Sequence, residues 1–201
     1  MKAQTIVMAC TLSALAPFGA DAATIQQTLS FSGSTVEFDQ TVGGFEYFDL
    51  AGTLDSVTLS YDATASGTVR AQGCRNTPGC EPATFALVLS GTGPFGAVSD
   101  ADSASSGIVA TTNGTQIGSY AVSVADTLNL AVADFVGSGT FGALRFLGDY
   151  AGRFTAVNGT FSGTVTLTYD YSVAAVPLPA SLPLALGALG LLGLHGRRRA
   201  A

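Results

Sequence analysis

Apolar and polar residues alternate along most of the chain. Val57, Leu59 and Tyr61 fall between Ser56, Thr58, Ser60 and Asp62, so this segment, when extended, carries one apolar face and one hydroxylated face. The alternation is longest near residue 170. There Phe161, Val165, Leu167, Tyr169 and Tyr171 point one way, and Ser162, Thr164, Thr166, Thr168 and Asp170 point the other. This predicts one long strand over 160–172. Further strands are predicted at 24–32, 67–72, 83–90, 119–125, 127–133 and 142–147, and no segment before residue 173 sustains a helical period. Asn113-Gly114 and Asn158-Gly159 each lie between strand-like runs. Both read as type I′ hairpin turns, because Asn-Gly tolerates the positive φ that the turn demands. The predicted fold is all-β: an antiparallel β-sandwich, jelly-roll-like, of about eight to ten strands in two sheets over residues 24–173, with a closed barrel as the alternative. No regular Thr-x-Thr array repeated across several strands is visible in the linear sequence.

The two ends break this pattern. Residues 1–23 read as a secretory signal peptide, in which Lys2 supplies the positive start, Ile6 to Ala16 the apolar stretch, and Ala20-Asp21-Ala22 the small-x-small cleavage pattern. Cys10 leaves with that segment. At the other end, 173–196 contains no Asp, Glu, Lys or Arg, and then Arg197, Arg198 and Arg199 follow together. This is a stop-transfer pattern, with a transmembrane helix expected over about 182–196. At 1.5 Å per residue a helix from Pro183 to Gly196 spans only about 21 Å, short of the roughly 30 Å hydrocarbon core, so the anchor is marginal and arginine snorkelling has to cover the shortfall. The arginines are expected on the cytoplasmic side and the domain on the other.

Val176-Pro177-Leu178-Pro179-Ala180, followed by the Leu/Gly/Ala stretch and the arginines, resembles the VPLPA variant of the PEP-CTERM sorting signal. The resemblance covers 174–201 and implies recognition by an exosortase-type enzyme in the membrane of a Gram-negative bacterium that makes exopolysaccharide. Val176, Pro177, Leu178, Pro179 and Ala180 are then read by another enzyme and are not catalytic here. Pro177 and Pro179 favour an extended, accessible peptide, since each fixes its own φ and keeps its predecessor out of the helical region. The stretch 24–172 resembles a second bacterial family, choice-of-anchor E, through Phe48-Asp49-Leu50, Leu54-Asp55-Ser56-Val57-Thr58-Leu59, Phe135-Val136-Gly137-Ser138-Gly139-Thr140 and Gly163-Thr164-Val165-Thr166-Leu167-Thr168-Tyr169. That family implies a surface role and brings no catalytic or binding residues to transfer.

Charge and composition narrow the chemistry. The formal net charge is −6, and between residues 23 and 175 only Arg70, Arg75, Arg145 and Arg153 oppose the acids, so nucleic acid is excluded as a partner. Cys74 and Cys80 are the cysteines left after signal removal. Export makes a disulfide between them the expected state, and a loop this short contributes about 2.4 kcal/mol. The one histidine is His195, in the tail, and the one lysine is Lys2. Ser-His, Cys-His and Schiff-base mechanisms therefore have no residues in the domain, and neither a metal site nor a cofactor is expected. Two acid pairs, Glu37 with Asp39 and Asp100 with Asp102, leave only carboxylate chemistry, and acids two apart more often face solvent or form turns. Asp100-Ala101-Asp102-Ser103 is a candidate calcium loop without the fuller ligand pattern. The reading that results is a non-catalytic exported surface or matrix protein, with exopolysaccharide as a partner. The alternative is a carbohydrate-binding or adhesive module, calcium-assisted, that uses Tyr47, Phe48, Tyr120, Tyr150 or Phe154 as a platform.

Overall fold

The computed structural model describes residues 8–13, 21–71, 84–110, 116–151 and 154–173. The sorting motif, Cys74, Cys80, Ala20, Asn113-Gly114, the apolar tail and Arg197 to Arg199 lie outside these residues. The alternating segments become ten strands: β1 (Met8–Ser13), β2 (Asp21–Gly33), β3 (Phe38–Glu46), β4 (Thr53–Ala71), β5 (Thr84–Thr92), β6 (Ser99–Ser105), β7 (Gly107–Ala110), β8 (Gln116–Leu130), β9 (Thr140–Ala151) and β10 (Phe154–Val173). Sheet A has the order β1-β2-β10-β4-β8-β7 and sheet B the order β3-β9-β5-β6, and all named pairings are antiparallel. β1 falls within the segment read as the secretory signal and lies along the edge of β2, with Cys10 opposite Gln27. Among the described residues no helix is long and apolar enough to cross a membrane.

The strands are longer than predicted. Segments read as separate strands at 56–62 and 67–72 form the 19-residue β4, and those at 119–125 and 127–133 belong largely to the 15-residue β8. Asn158-Gly159 makes no hairpin. β10 runs through it for 20 residues, with a register shift against β4 between Ala156 and Asn158. This is a bulge in a continuous strand. Reversing the chain here would unpair Phe154 to Ala156 from Val69 to Ala71 on β4. Gly159 is needed for space: a Cβ there would come within 2.7 Å of the Thr35 carbonyl oxygen and of Val36 Cα. β3 and β6 were not predicted, because glycines blur the alternation of the first and the second presents acids and small residues in place of large apolar ones.

The inward faces form one core. Phe45, Phe95, Phe135 and Phe146 are fully buried. Phe45 meets Phe95 and Phe135 meets Phe141 edge-on, at centroid distances of 5.5 and 5.2 Å, the arrangement that ring quadrupoles favour. Glycines inside the sandwich are covered by aromatic rings on the neighbouring strand. Gly33 lies opposite Phe161, Gly163 opposite Phe31, Gly148 opposite Phe38 and Gly67 opposite Tyr120, and in each pair the ring occupies the volume a side chain would take. The glycines thereby make room in the core for large aromatic rings.

Side chains close both seams between the sheets. On one side the buried Gln27 of β2 donates from Nε2 to the Glu46 carbonyl at 2.9 Å and accepts from the Glu46 N–H at 2.7 Å. Tyr169 Oη donates to the same carbonyl at 2.9 Å. On the other side Asp102 of edge strand β6 accepts from the Ser123 N–H of β8 at 2.9 Å, and Tyr61 Oη donates to Asp100 at 3.2 Å. Each seam bond satisfies polar groups at the border where the two sheets part.

Candidate functional site

The polar halves of β2, β10, β4 and β8 emerge on the outer surface of sheet A. Register sets them in rows across β2, β10, β4 and β8. Thr28, Thr166, Ser60 and Thr127 make one row, and Gln26, Thr168, Thr58 and Asn129 lie beside it. On the far side follow Ser30, Thr164, Asp62 and Ala125, then Ser32, Ser162, Thr64 and Ser123. Neighbours in a row are about 4.8 Å apart and successive rows about 6.7 Å apart, as pleated strands dictate. Register thus assembles four separate segments into one outward polar face of mixed Ser, Thr, Gln, Asn and Asp side chains, in which only β10 carries Thr-x-Thr.

Hydroxyls pair across the strands. Thr28 and Thr166 oxygens lie 3.1 Å apart, Ser30 and Thr164 3.4 Å, and Thr64 and Ser162 3.4 Å. Thr127 Oγ1 donates to Ser60 at 3.2 Å and Thr58 Oγ1 to Asn129 at 3.3 Å. Each such pair uses one O–H and one lone pair, so every row keeps donors and acceptors for an outside partner. At the end of the face Asp170 accepts from Thr24 at 2.8 Å and from Ser56 at 2.9 Å. A shallow depression of about 290 Å³ opens between β2, β10 and β4, lined by Ser30, Phe31, Ser32, Asp62, Ser162, Gly163 and Thr164.

Of the aromatic residues considered as a sugar platform, Phe48 and Tyr120 are not on the surface. Phe48 and Tyr120 are core residues, the latter stacked on Phe85 at 4.2 Å. Tyr47 and Tyr150 are half-buried against the core, Tyr47 lying 4.5 Å from Phe141. Side-chain placement of Phe154 lies outside the described residues. Alternation puts aromatics inside here because the outward positions of sheet A carry Ser, Thr and acids.

The candidate acids are distributed, not gathered. Asp39 is gripped by Arg145 through two bonds of 2.7 and 2.6 Å on the outer face of sheet B, and that guanidinium holds its carboxyl below the ordinary range. Both side chains are about half exposed, so the pair adds little to stability. Glu37 is exposed just ahead of β3. Asp100 and Asp102 sit on β6, a regular strand and not a loop, with their carboxylates turned to Tyr61 and Ser123. Burial first, then the charge of Asp100, its hydrogen bond and the charge of Asp126 push the Tyr61 phenol up to about 12. Among the described residues no group of three His, Cys, Asp or Glu side chains is placed to hold a metal ion.

Val173, the last described residue, lies opposite Asp21, and Tyr171 lies opposite Ala23, so the start of β2 and the end of β10 pair at one end of sheet A. The same end carries three exposed apolar residues: Leu50, Val136 and Val173. Phe48 bridges Val136, and Gly52 abuts the Ser172 carbonyl.

No protein-family model matches the sequence, and neither does any curated protein. Among solved structures, the chain is similar to the infectious bursal disease virus VP2 subviral particle at 12% identity and a TM-score of 0.25, covering 92% of this chain and 53% of that one. It is also similar to the infectious bursal disease virus Gx strain structure at 14% identity and a TM-score of 0.24, covering 77% and 37%. The chain thus spans about half, or less, of the chains it matches. Neither fold nor activity transfers at such similarity.

Proposed function

We propose that the chain is a non-catalytic exported protein of a Gram-negative cell surface or extracellular matrix, sorted by an exosortase-type enzyme and associated with exopolysaccharide. The observation that carries this reading is the tail: Val176 to Ala180, an uncharged apolar run, and Arg197 to Arg199. The tail follows β10 directly in sequence, and Pro177 and Pro179 favour the extended backbone that a processing enzyme needs.

Intact mass and fractionation of the native product test this. The expected product lacks the leader and the apolar tail and is found at the surface or in the medium. A P177A/P179A double variant, or replacement of Arg197, Arg198 and Arg199 by Gln, should leave the unprocessed chain in the membrane fraction. Unchanged processing and placement in both variants would refute the proposal.

A further inference from the structure

The depression on sheet A has a chemical character of its own. Asp62 stands exposed within it, among Ser30, Ser32, Ser162 and Thr164. Among the described residues no side chain donates to the Asp62 carboxylate, whereas Asp170 on the same face already accepts from Thr24 and Ser56. The row of Asp62 ends in Ala125. This small outward neighbour leaves room beside a carboxylate with unused lone pairs.

A carboxylate flanked by hydroxyls suits a ligand that presents adjacent hydroxyl groups. Two neighbouring hydroxyls of a sugar ring donate to the two carboxylate oxygens, and the surrounding Ser and Thr side chains both donate and accept. The neighbouring rows continue the hydroxyl chemistry along the strands, so a chain polymer contacts several Ser and Thr side chains at once. Sign of charge selects among polymers. Asp62 and Asp170 lie on this face and Arg70 stands only at the far end of β4, so polyuronates and sulfated chains are repelled.

We propose that the outer face of sheet A binds a neutral polysaccharide, with Asp62 accepting from adjacent sugar hydroxyls and Ser30, Ser32, Ser162 and Thr164 completing the contact. This deepens the proposed association with a polysaccharide layer and rests on that reading. An ordered-water surface such as ice is the competing occupant of a flat hydroxyl array. It is disfavoured because the Asp62 carboxylate imposes its own hydration in the middle of the rows.

Affinity electrophoresis of the native secreted product through gels containing dextran, hydroxyethyl cellulose or alginate tests the proposal. Wild-type protein should be retarded by at least one neutral polymer and not by alginate, with little change on adding salt. D62A and the S30A/T164V pair should each weaken retardation about tenfold, the effect of losing one or two hydrogen bonds to a charged or polar group. T41A, on the exposed outer side of sheet B, should leave it unchanged. Melting curves exclude unfolding as the cause, since all these side chains are exposed. Retardation unaffected by the sheet A variants overturns the site while the polysaccharide association stands. Absence of retardation in both neutral polymers, or stronger retardation by alginate, overturns the ligand class and leaves export and sorting to the mass measurement. Ice-growth inhibition by the wild type that D62A and S30A/T164V abolish assigns the rows to ice and overturns the sugar reading.

Discussion

Replacing Gln27 by Leu isolates what one seam contributes. The substitution keeps side-chain bulk and apolar contact but removes the amide that donates to the Glu46 carbonyl at 2.9 Å and accepts from its N–H at 2.7 Å. Each hydrogen bond is worth about 0.5–1.5 kcal/mol net, so the pair amounts to about 2 kcal/mol. Tyr169 still donates to the carbonyl, which keeps the loss from rising towards the full desolvation cost of two orphaned groups. For a domain of this size about 2 kcal/mol lowers Tm by about 4–8 °C. The Q27E variant sharpens the test. A carboxylate there still accepts from the N–H but faces the carbonyl with no proton to donate, while the neutral acid restores both bonds. The introduced carboxyl should therefore titrate above its unfolded value. Its stabilising contribution is complete at low pH and disappears as pH rises through the folded-state value. Thermal melts of wild type, Q27L and Q27E at about pH 4 and pH 7 decide the matter. A Q27L Tm within about 1 °C of wild type, or a Q27E deficit that does not shrink on acidification, would refute the role assigned to this seam.

Three further outcomes follow from the same structure. Tyr61, pushed up to about 12, binds its proton more tightly folded than unfolded. Its contribution should be complete below about pH 10 and vanish as pH climbs towards 12, and comparing Y61F with wild type in alkaline melts checks this. G159A should destabilise by about 1–3 kcal/mol, because the new methyl meets the Thr35 carbonyl and Val36 at 2.7 Å; urea unfolding measures it, and a neutral result would show that the bulge yields easily. Millimolar calcium should leave Tm unchanged, since Asp100 and Asp102 serve Tyr61 and Ser123; a rise that D100N/D102N removes would restore a calcium role.

Period-two alternation was enough to predict an all-β domain and to sort Leu59, Tyr61, Val165 and Leu167 from Thr58, Ser60, Thr164 and Thr166, because which face a side chain takes is a local property of an extended backbone. The apolar run near the start and the uncharged stretch ahead of Arg197 to Arg199 are local patterns of the same kind, since hydropathy and charge act on contiguous segments. Neighbourhood was not readable. Asn158-Gly159 carries the local signature of a turn, yet pairing with β4 on one side and contact with Thr35 and Val36 on the other make it a bulge. β6 lacks large apolar residues, and its acids are held by Tyr61 and Ser123 from distant parts of the chain. The hydroxyl face shows the same division. Each strand's polar residues were legible one by one, but only the register of β2, β10, β4 and β8 aligns Thr28, Thr166, Ser60 and Thr127 into a row. Burial of the opposite faces against sheet B sets that register, and it joins residues more than a hundred positions apart, which no local pattern encodes.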